Sequence, residues 1–156
     1  LAFFINMTLC FATNNAHKLA EVAALLGGAF TLQTLANIGC TAELPETTGT
    51  IPGNSAQKAR YVWEHFRVPC FADDTGLEVE ALDGEPGVDS AIYAGLPRSD
   101  ARNRAKLLAT LRSEENRRAQ FRCVFTLLLP DAEHSFEGIV TGTLLHEERG
   151  TGGFGY

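Results

Sequence analysis

The sequence predicts an α/β protein with a mixed β-sheet flanked by helices, and three observations support this. The chain has 156 residues, enough for one core, and 45% of them are hydrophobic, as in soluble globular proteins. Apolar, strand-like runs alternate with segments of helical periodicity, which is typical of α/β folds. Two long strand-like runs meet across Pro130 and Asp131, which favours an antiparallel pair within the sheet.

The first half of the chain predicts a strand, a polar turn, a helix and a second strand. The run from Thr8 to Ala12 is apolar, and Phe30 to Leu35 is a second strand-like run. The helix between them is predicted by apolar residues at helical spacing, Leu19, Val22, Ala23 and Leu26, and it closes at Gly27 and Gly28. A loop is expected from Thr41 to Gly53.

A second helix is predicted to begin with Asn54 or Ser55 as its cap and to end before Pro69. Its apolar stripe is Ala59, Val62, Trp63 and Phe66. A third helix is predicted after Ser99, with an inward face made of Ala101, Ala105, Leu108 and Leu111. The two long strands then run from Phe121 to Leu129 and from Phe136 to Leu145.

The net charge and the cysteines indicate which binding partners and which cellular compartment to expect for this protein. With 19 acidic residues against 13 Lys and Arg, the net charge of −6 argues against a nucleic-acid binder or a protein of anionic membranes. The four cysteines have no metal-binding spacing, which favours buried thiols in a reducing compartment. Met7 resembles a natural start, so we expect residues 1–6 to be an extension of a single domain over residues 7–156.

The turn after the first strand is a candidate anion site. It places two amides, a hydroxyl and an ammonium group around a helix N-terminus, in Thr13, Asn14, Asn15, Ala16, His17 and Lys18. Unsatisfied backbone N–H groups and the helix dipole attract phosphate, and Lys18 adds a mobile positive charge. A structural alternative stays open, in which Thr13 or Asn15 caps the helix and Lys18 is solvated.

Two adjacent carboxylates form a second candidate site. Asp73 and Asp74 follow the apolar run 70–72, and we expect them at the end of that strand, pointing to opposite sides. Because Mg²⁺ takes oxygen ligands and few of them from protein, one of these acids with Glu46 of the preceding loop would suffice to bind it, completed by phosphate and water. Turn and capping hydrogen bonds of Asp73, Asp74 and Thr75 are the structural alternative.

Several separated blocks of the sequence together resemble one known family. They are FATNNAHK at 11–18, PET at 45–47, Asn54 with Lys58, FADDTGLEV at 71–79, GEPG at 84–87, Ser90-Ala91 with Tyr93-Ala94-Gly95, and GTGGFGY at 150–156. In this order, from about Met7 to Tyr156, they resemble the inosine triphosphate pyrophosphatase-like family. So many ordered blocks are far more specific than any one of them.

The resemblance implies a fold, an activity and an assembly. The fold is a mixed sheet flanked by helices, with two lobes and a central nucleotide cleft. The activity is Mg²⁺-dependent hydrolysis of inosine, deoxyinosine or xanthosine triphosphate to the monophosphate and pyrophosphate. The family is typically a cytoplasmic homodimer.

The resemblance also implies roles for single residues. Thr13, Asn14, Asn15, Ala16, His17 and Lys18 would hold the triphosphate, and Lys58 would approach the phosphates. Glu46 and Asp74 would contact Mg²⁺, and Asp74 would also be the catalytic base. Thr75 stands where the family usually has a substrate-contacting serine, and it keeps the hydroxyl. The wall against which the purine packs would begin with Phe154, Gly155 and Tyr156.

Family members continue beyond the Gly-Phe-Gly-Tyr block into a region whose Asp, Lys, His and Arg help to read the base. That region is not in this sequence, so we expect a domain truncated at its C-terminus. Such a chain should bind dITP and dATP within roughly 10²-fold of each other, because apolar packing alone discriminates weakly. The alternative function is a truncated, non-catalytic nucleotide-binding or dimerisation module.

Overall fold

The computed structural model describes residues 7–156, and the predicted extension 1–6 lies outside the described residues. The strands are β1 (Met7–Phe11), β2 (Phe30–Gln33), β3 (Cys70–Val79), β4 (Pro86–Gly87), β5 (Arg118–Leu129) and β6 (Ala132–Thr143). The helices are α1 (Ala16–Leu26), α2 (Ile51–Phe66) and α3 (Asp100–Thr110). Within the described residues, none of these helices is both long enough and apolar enough to span a membrane.

The strands form one mixed sheet, which confirms the predicted fold class. Their order is β2-β1-β3-β5-β6, and β4 pairs with β3 off this path. β1 is parallel to both β2 and β3, and β4 is antiparallel to β3. β5 and β6 are neighbours joined by Pro130 and Asp131, and a connection of two residues permits only an antiparallel pair.

The chain divides into two compact units. Unit 1 contains the described residues up to Asp73 together with Val124–Phe136, and unit 2 contains Asp74–Cys123 and Glu137–Tyr156. The unit 1 core follows from the register of β1 and β3, in which Cys10 is opposite Cys70 and Phe11 opposite Phe71. Since side chains alternate along a strand, the two pairs face opposite sides of the sheet.

The Phe11 and Phe71 rings stack with centroids 4.6 Å apart, and Leu19 and Val22 of α1 pack against their cluster. No residue of α1 is fully buried. The helix ends as predicted at Gly27, whose φ of 55° suits glycine and whose N–H donates to the carbonyl oxygen of Ala23. On the other side of the sheet, Cys10 and Cys70 pack in a cluster with Ala59 and Val62 of α2.

Helix α2 begins earlier than predicted. Its N-cap is Thr50, whose side chain accepts a hydrogen bond from the Gly53 N–H at 3.1 Å. The prediction of Asn54 or Ser55 as the cap is wrong, because both lie inside the helix and are buried. Asn54 instead accepts hydrogen bonds from the backbone N–H and the hydroxyl of Thr48, and so fixes the preceding loop.

Strand β3 corrects the expected position of the two carboxylates. Asp73 and Asp74 lie in the middle of a ten-residue strand and not at a strand end. Asp, Thr and Gly are turn-forming residues, but pairing with β4 through Leu77 and Glu78 continues the extended backbone past them. Residues 73 and 74 therefore point to opposite faces of the sheet.

Helix α3 in unit 2 has the predicted cap but a different inward face. Ser99 accepts a hydrogen bond from the Arg102 N–H, as expected. Asn103 and Leu107 of the helix are buried, and so is Leu111 directly after it, as predicted. Ala101 and Ala105 are exposed instead of inward, and Leu108 is half-buried. In an alanine-rich helix several stripes have similar hydrophobicity, and the longer Leu107 side chain fills the core with Leu77 and Val79.

The two buried thiols that lie opposite each other in unit 1 are expected to destabilise the fold at alkaline pH. Burial, followed by a smaller effect of Cys40, raises the pKa of Cys10 from 9.0 to about 11, and burial with Cys10 nearby raises the pKa of Cys70 to about 12. Because the unfolded chain releases these protons first, the free energy of unfolding should fall as pH rises above about 9, by at most about 1.4 kcal/mol per pH unit and thiol.

Urea denaturation at several pH values between 9 and 11 measures this slope, and the Cys10→Ala variant is the matched comparison. Tyrosine and lysine titrations are common to both proteins, so the difference in slope reports the Cys10 thiol together with its effect on Cys70. Equal slopes in the two proteins would show that Cys10 has an ordinary pKa.

Candidate active site

The turn between β1 and α1 caps the N-terminus of α1 with its own side chains. The Asn15 Oδ1 atom accepts hydrogen bonds from the backbone N–H groups of His17 at 3.0 Å and Lys18 at 3.2 Å. The Thr13 hydroxyl accepts one from the Asn15 N–H at 3.1 Å. Two of the backbone donors expected to face phosphate are therefore satisfied inside the protein. Asn14, Ala16 and His17 are exposed beside them.

Lys18 reaches from this turn to β3. Its ammonium group donates a hydrogen bond to Asp73 in an ion pair, in which the lysine side chain is 24% exposed and the aspartate 4%. The pair follows from the parallel register of β1 and β3, because Phe11 is opposite Phe71 and the turn after β1 therefore lies beside the next residues of β3, which include Asp73. The predicted solvated Lys18 of the structural alternative is wrong.

Helix α2 carries the second lysine of unit 1 that pairs with a carboxylate. The buried Ser55 hydroxyl donates to the carbonyl oxygen of Ala72 at 3.1 Å, directly before Asp73 in the chain. Lys58 lies one helical turn after Ser55 on the same face of α2. It is 8% exposed, and its ammonium group pairs with Glu46 of the loop before α2, whose carboxylate is 51% exposed. Unit 1 thus holds two lysine–carboxylate pairs.

Asp74 begins unit 2 and is the next residue of β3 after the lysine-paired Asp73. Asp74 is half-buried, and its Oδ1 atom accepts a hydrogen bond from the Thr75 N–H at 3.1 Å. The Thr75 hydroxyl donates to the sulfur of Cys123 on β5 at 3.0 Å. The hydroxyl expected to contact substrate is therefore held in place by a cysteine that the sequence did not single out.

The two C-terminal aromatic residues differ in their environments within unit 2. Phe154 is 38% exposed and lines a cavity of about 430 Å³. Tyr156 packs in the core cluster of Leu77 and Leu107. Its hydroxyl donates to the carbonyl oxygen of Ser90 at 2.9 Å, and burial, with smaller effects of Tyr93 and Asp100, raises its pKa to about 12. Both residues line this cavity, and Phe154 is the more exposed of the two.

Carboxylates suited to a hard cation are present among the described residues, but they do not form a complete set of metal ligands. Within residues 7–156 no three His, Cys, Asp or Glu side chains are grouped so that they could hold a metal ion. A Mg²⁺ ion at Glu46 or Asp74 would therefore take its other oxygen ligands from substrate phosphates and water.

The sequence missed the residues that hold the C-terminal segment. Asp100 and Arg104 of α3 both contact the backbone of Gly155, and Arg117 donates to the carbonyl oxygens of Leu144 and Leu145. The sequence analysis assigned these side chains no role. The spacing of an acid and a base four residues apart was a usable signal, because such residues share one face of a helix.

Comparison with known proteins shows which proteins this chain is similar to. A model of the Ham1 family matches residues 9–156. The chain is 50% identical over 149 residues to a Porphyromonas gingivalis protein named dITP/XTP pyrophosphatase, covering 95% of this chain and 77% of that protein. It is 47% identical over 150 residues to a Flavobacterium johnsoniae protein of the same name, covering 96% and 78%.

A solved structure, of a HAM1 protein from Coxiella burnetii, matches with a TM-score of 0.88 at 33% identity, over 96% of this chain and 79% of that one. The family match thus spans almost all described residues, and it includes the lysine pairs of unit 1, the acids of β3 and the C-terminal aromatic segment. On these grounds the chain belongs to the Ham1 family.

Proposed function

We propose that this protein hydrolyses dITP, ITP and XTP to the nucleoside monophosphate and pyrophosphate, with Mg²⁺ as the metal. Family membership and the names of the related proteins support the substrate class. The observation that carries the proposal is the presence in unit 1 of two lysines, Lys18 and Lys58, each held by a carboxylate and neither freely solvated. Ammonium groups fixed in this way suit a polyanionic ligand.

The triphosphate would bind to side chains more than to backbone donors. The N–H groups of His17 and Lys18 are already used by Asn15, so the polar contacts would come from the Lys18 and Lys58 ammonium groups and from the side chains of Thr13, Asn14 and Asn15. Lys18 and Lys58 would exchange part of their contact with carboxylate for contact with phosphate. The helix dipole of α1 adds a favourable field at the same place.

Glu46 and Asp74 are the proposed Mg²⁺ contacts. Glu46 is half-exposed on its loop and offers its carboxylate to a hard cation, which prefers oxygen ligands. When bound, Mg²⁺ would offset negative charge on the phosphates and polarise their oxygens. Lys58 competes with the metal for Glu46, so a nucleotide that attracts Lys58 would release the carboxylate.

Asp74 is the proposed general base. Its carboxylate would accept a proton from the attacking water as the new oxygen–phosphorus bond forms and the bond between the α- and β-phosphates breaks, releasing pyrophosphate. Asp73 is less suited to this role, because it is buried and paired with Lys18. Thr75 would contact the substrate through its hydroxyl, and Phe154, next to Gly155 and the anchored Tyr156, would pack against the purine.

Assembly as a cytoplasmic homodimer belongs to the same proposal and rests on the family resemblance alone. The acidic net charge of −6 supports a small-molecule substrate over a nucleic acid or an anionic membrane surface.

The activity is tested by incubating the protein with Mg²⁺ and, in turn, dITP, XTP, dATP and dGTP, and by identifying the phosphorus products. We expect monophosphate and pyrophosphate in equal amounts from dITP, and none after the metal is chelated. The ratio of the dITP and dATP rates measures base selectivity. Absence of pyrophosphate from every nucleotide would contradict the proposal, and calorimetric dITP binding without turnover would favour the non-catalytic module.

A further inference from the structure

Two side chains of α3 hold both polar backbone groups of one glycine near the C-terminus. The Asp100 Oδ2 atom accepts a hydrogen bond from the Gly155 N–H at 3.1 Å, and the Arg104 Nη1 group donates to the Gly155 carbonyl oxygen at 2.7 Å. Asp100 and Arg104 are four residues apart and therefore share one face of the helix. Gly155 has a φ of 78°, a left-handed conformation that favours glycine.

Further contacts in unit 2 fix the residues on both sides of these two hydrogen bonds. Arg98 contacts Asp100 Oδ1 at 3.4 Å, and Glu148 contacts Arg104 Nε at 3.1 Å. On the far side of Gly155, the Tyr156 hydroxyl is fixed to Ser90. The peptide that follows Phe154 is thus held from helix α3, while the Phe154 ring remains 38% exposed on its cavity.

We propose that Asp100 and Arg104 are positioning residues for purine recognition, acting by fixing the backbone that aims Phe154. The inference rests on the proposed function, in which Phe154 packs against the purine. It concerns control of the base alone and gives Asp100 and Arg104 no part in phosphate binding. Loss of either α3 contact should loosen the base and leave phosphate binding and the chemical step intact.

The alternative is that the two contacts only fasten the C-terminal segment and stabilise the fold. That role predicts a lower melting temperature with equal losses for every ligand. A positioning role predicts losses confined to ligands that carry a base. Inorganic tripolyphosphate, which has phosphates and no base, therefore separates the two roles.

The experiment compares Arg104→Ala, Arg104→Lys and Asp100→Asn with Arg112→Ala, a control at an exposed arginine just beyond α3. For dITP we expect KM to rise about tenfold in Arg104→Ala and Asp100→Asn, the equivalent of one hydrogen bond to a charged group, with kcat within about twofold of wild type. Arg104→Lys keeps a charged donor and should recover part of the loss. The inhibition constant of tripolyphosphate should be unchanged throughout.

A double-mutant cycle with Phe154→Ala tests the route of the effect. If Arg104 acts through Phe154, Arg104→Ala should raise the KM for dITP far less when Phe154 is already alanine. Additive effects, or a rise in the tripolyphosphate inhibition constant, would overturn the inference. So would an unchanged dITP KM in Arg104→Ala and Asp100→Asn while Phe154→Ala raises it. Failure of the proposed function is distinct, since wild type would then release no pyrophosphate.

Discussion

Asparagine in place of Asp74 is expected to lower the turnover of dITP by about 10²-fold or more, the contribution of a general base. Asparagine has nearly the same shape and can still accept the hydrogen bond from the Thr75 N–H, so the strand should keep its structure. It loses the negative charge and the basic oxygen. Pyrophosphate release under saturating dITP gives kcat, and circular dichroism with thermal unfolding checks the fold.

The matched variant for this prediction is Glu46→Gln, which removes a proposed metal contact from a half-exposed loop position without touching the base. Its activity should recover as the Mg²⁺ concentration is raised, whereas that of Asp74→Asn should stay low at every Mg²⁺ concentration. Full activity in Asp74→Asn would reassign the base, with Asp73 the next residue to examine.

The second large effect is expected from Lys18→Met. Removing the ammonium group should weaken dITP and dATP binding alike, by roughly 10- to 100-fold, as for hydrogen bonds to charged groups of about 1.5–3 kcal/mol. The same change takes the partner lysine from Asp73, whose side chain is only 4% exposed, so the free energy of unfolding should fall by about 1–3 kcal/mol as well. Inhibition by tripolyphosphate and urea denaturation measure the two effects separately.

A double variant, Lys18→Met with Asp73→Asn, distinguishes the structural from the binding role of Lys18. A neutral pair of similar shape has no buried charge to compensate, so stability should return toward wild type. Tripolyphosphate binding should remain weak. If binding returned together with stability, Lys18 would act only by supporting the fold, and the phosphate contact would have to be assigned to other residues.

Local pattern predicted the elements of this protein better than the contacts between them. Strand β1 and helix α1 were readable because an apolar run, a polar turn and a helical stripe follow one another within twenty residues. The same reasoning misplaced Asp73 and Asp74, because turn propensity is a local property and β4 overrides it through pairing with β3. The Thr50 cap was missed because two equally good capping residues stand further along the chain.

The sequence analysis named the residues of the candidate site but not the contacts between them. The resemblance named Lys18, Glu46 and Lys58, yet nothing in the sequence pairs Lys18 with Asp73, which is 55 residues away. Such pairs depend on strand order, since β1 lies beside β3 although β2 comes between them along the chain. The hydrogen bonds of Asp100 and Arg104 with the Gly155 backbone likewise depend on where the tertiary fold places the C-terminal segment.

Helix α1 connects the proposed phosphate contacts to the dynamics of the protein. Because none of its residues is fully buried, opening its hydrogen bonds loses less apolar contact than opening α2, and its amides should exchange with solvent at a lower opening free energy. The ion pair of Lys18 with Asp73 then ties the first turn of this weakly packed helix to the buried strand β3. If a triphosphate draws Lys18 away from Asp73, the first turn of α1 would be held through the ligand instead of through the ion pair. The ordering of the helix would then depend on whether the site is occupied.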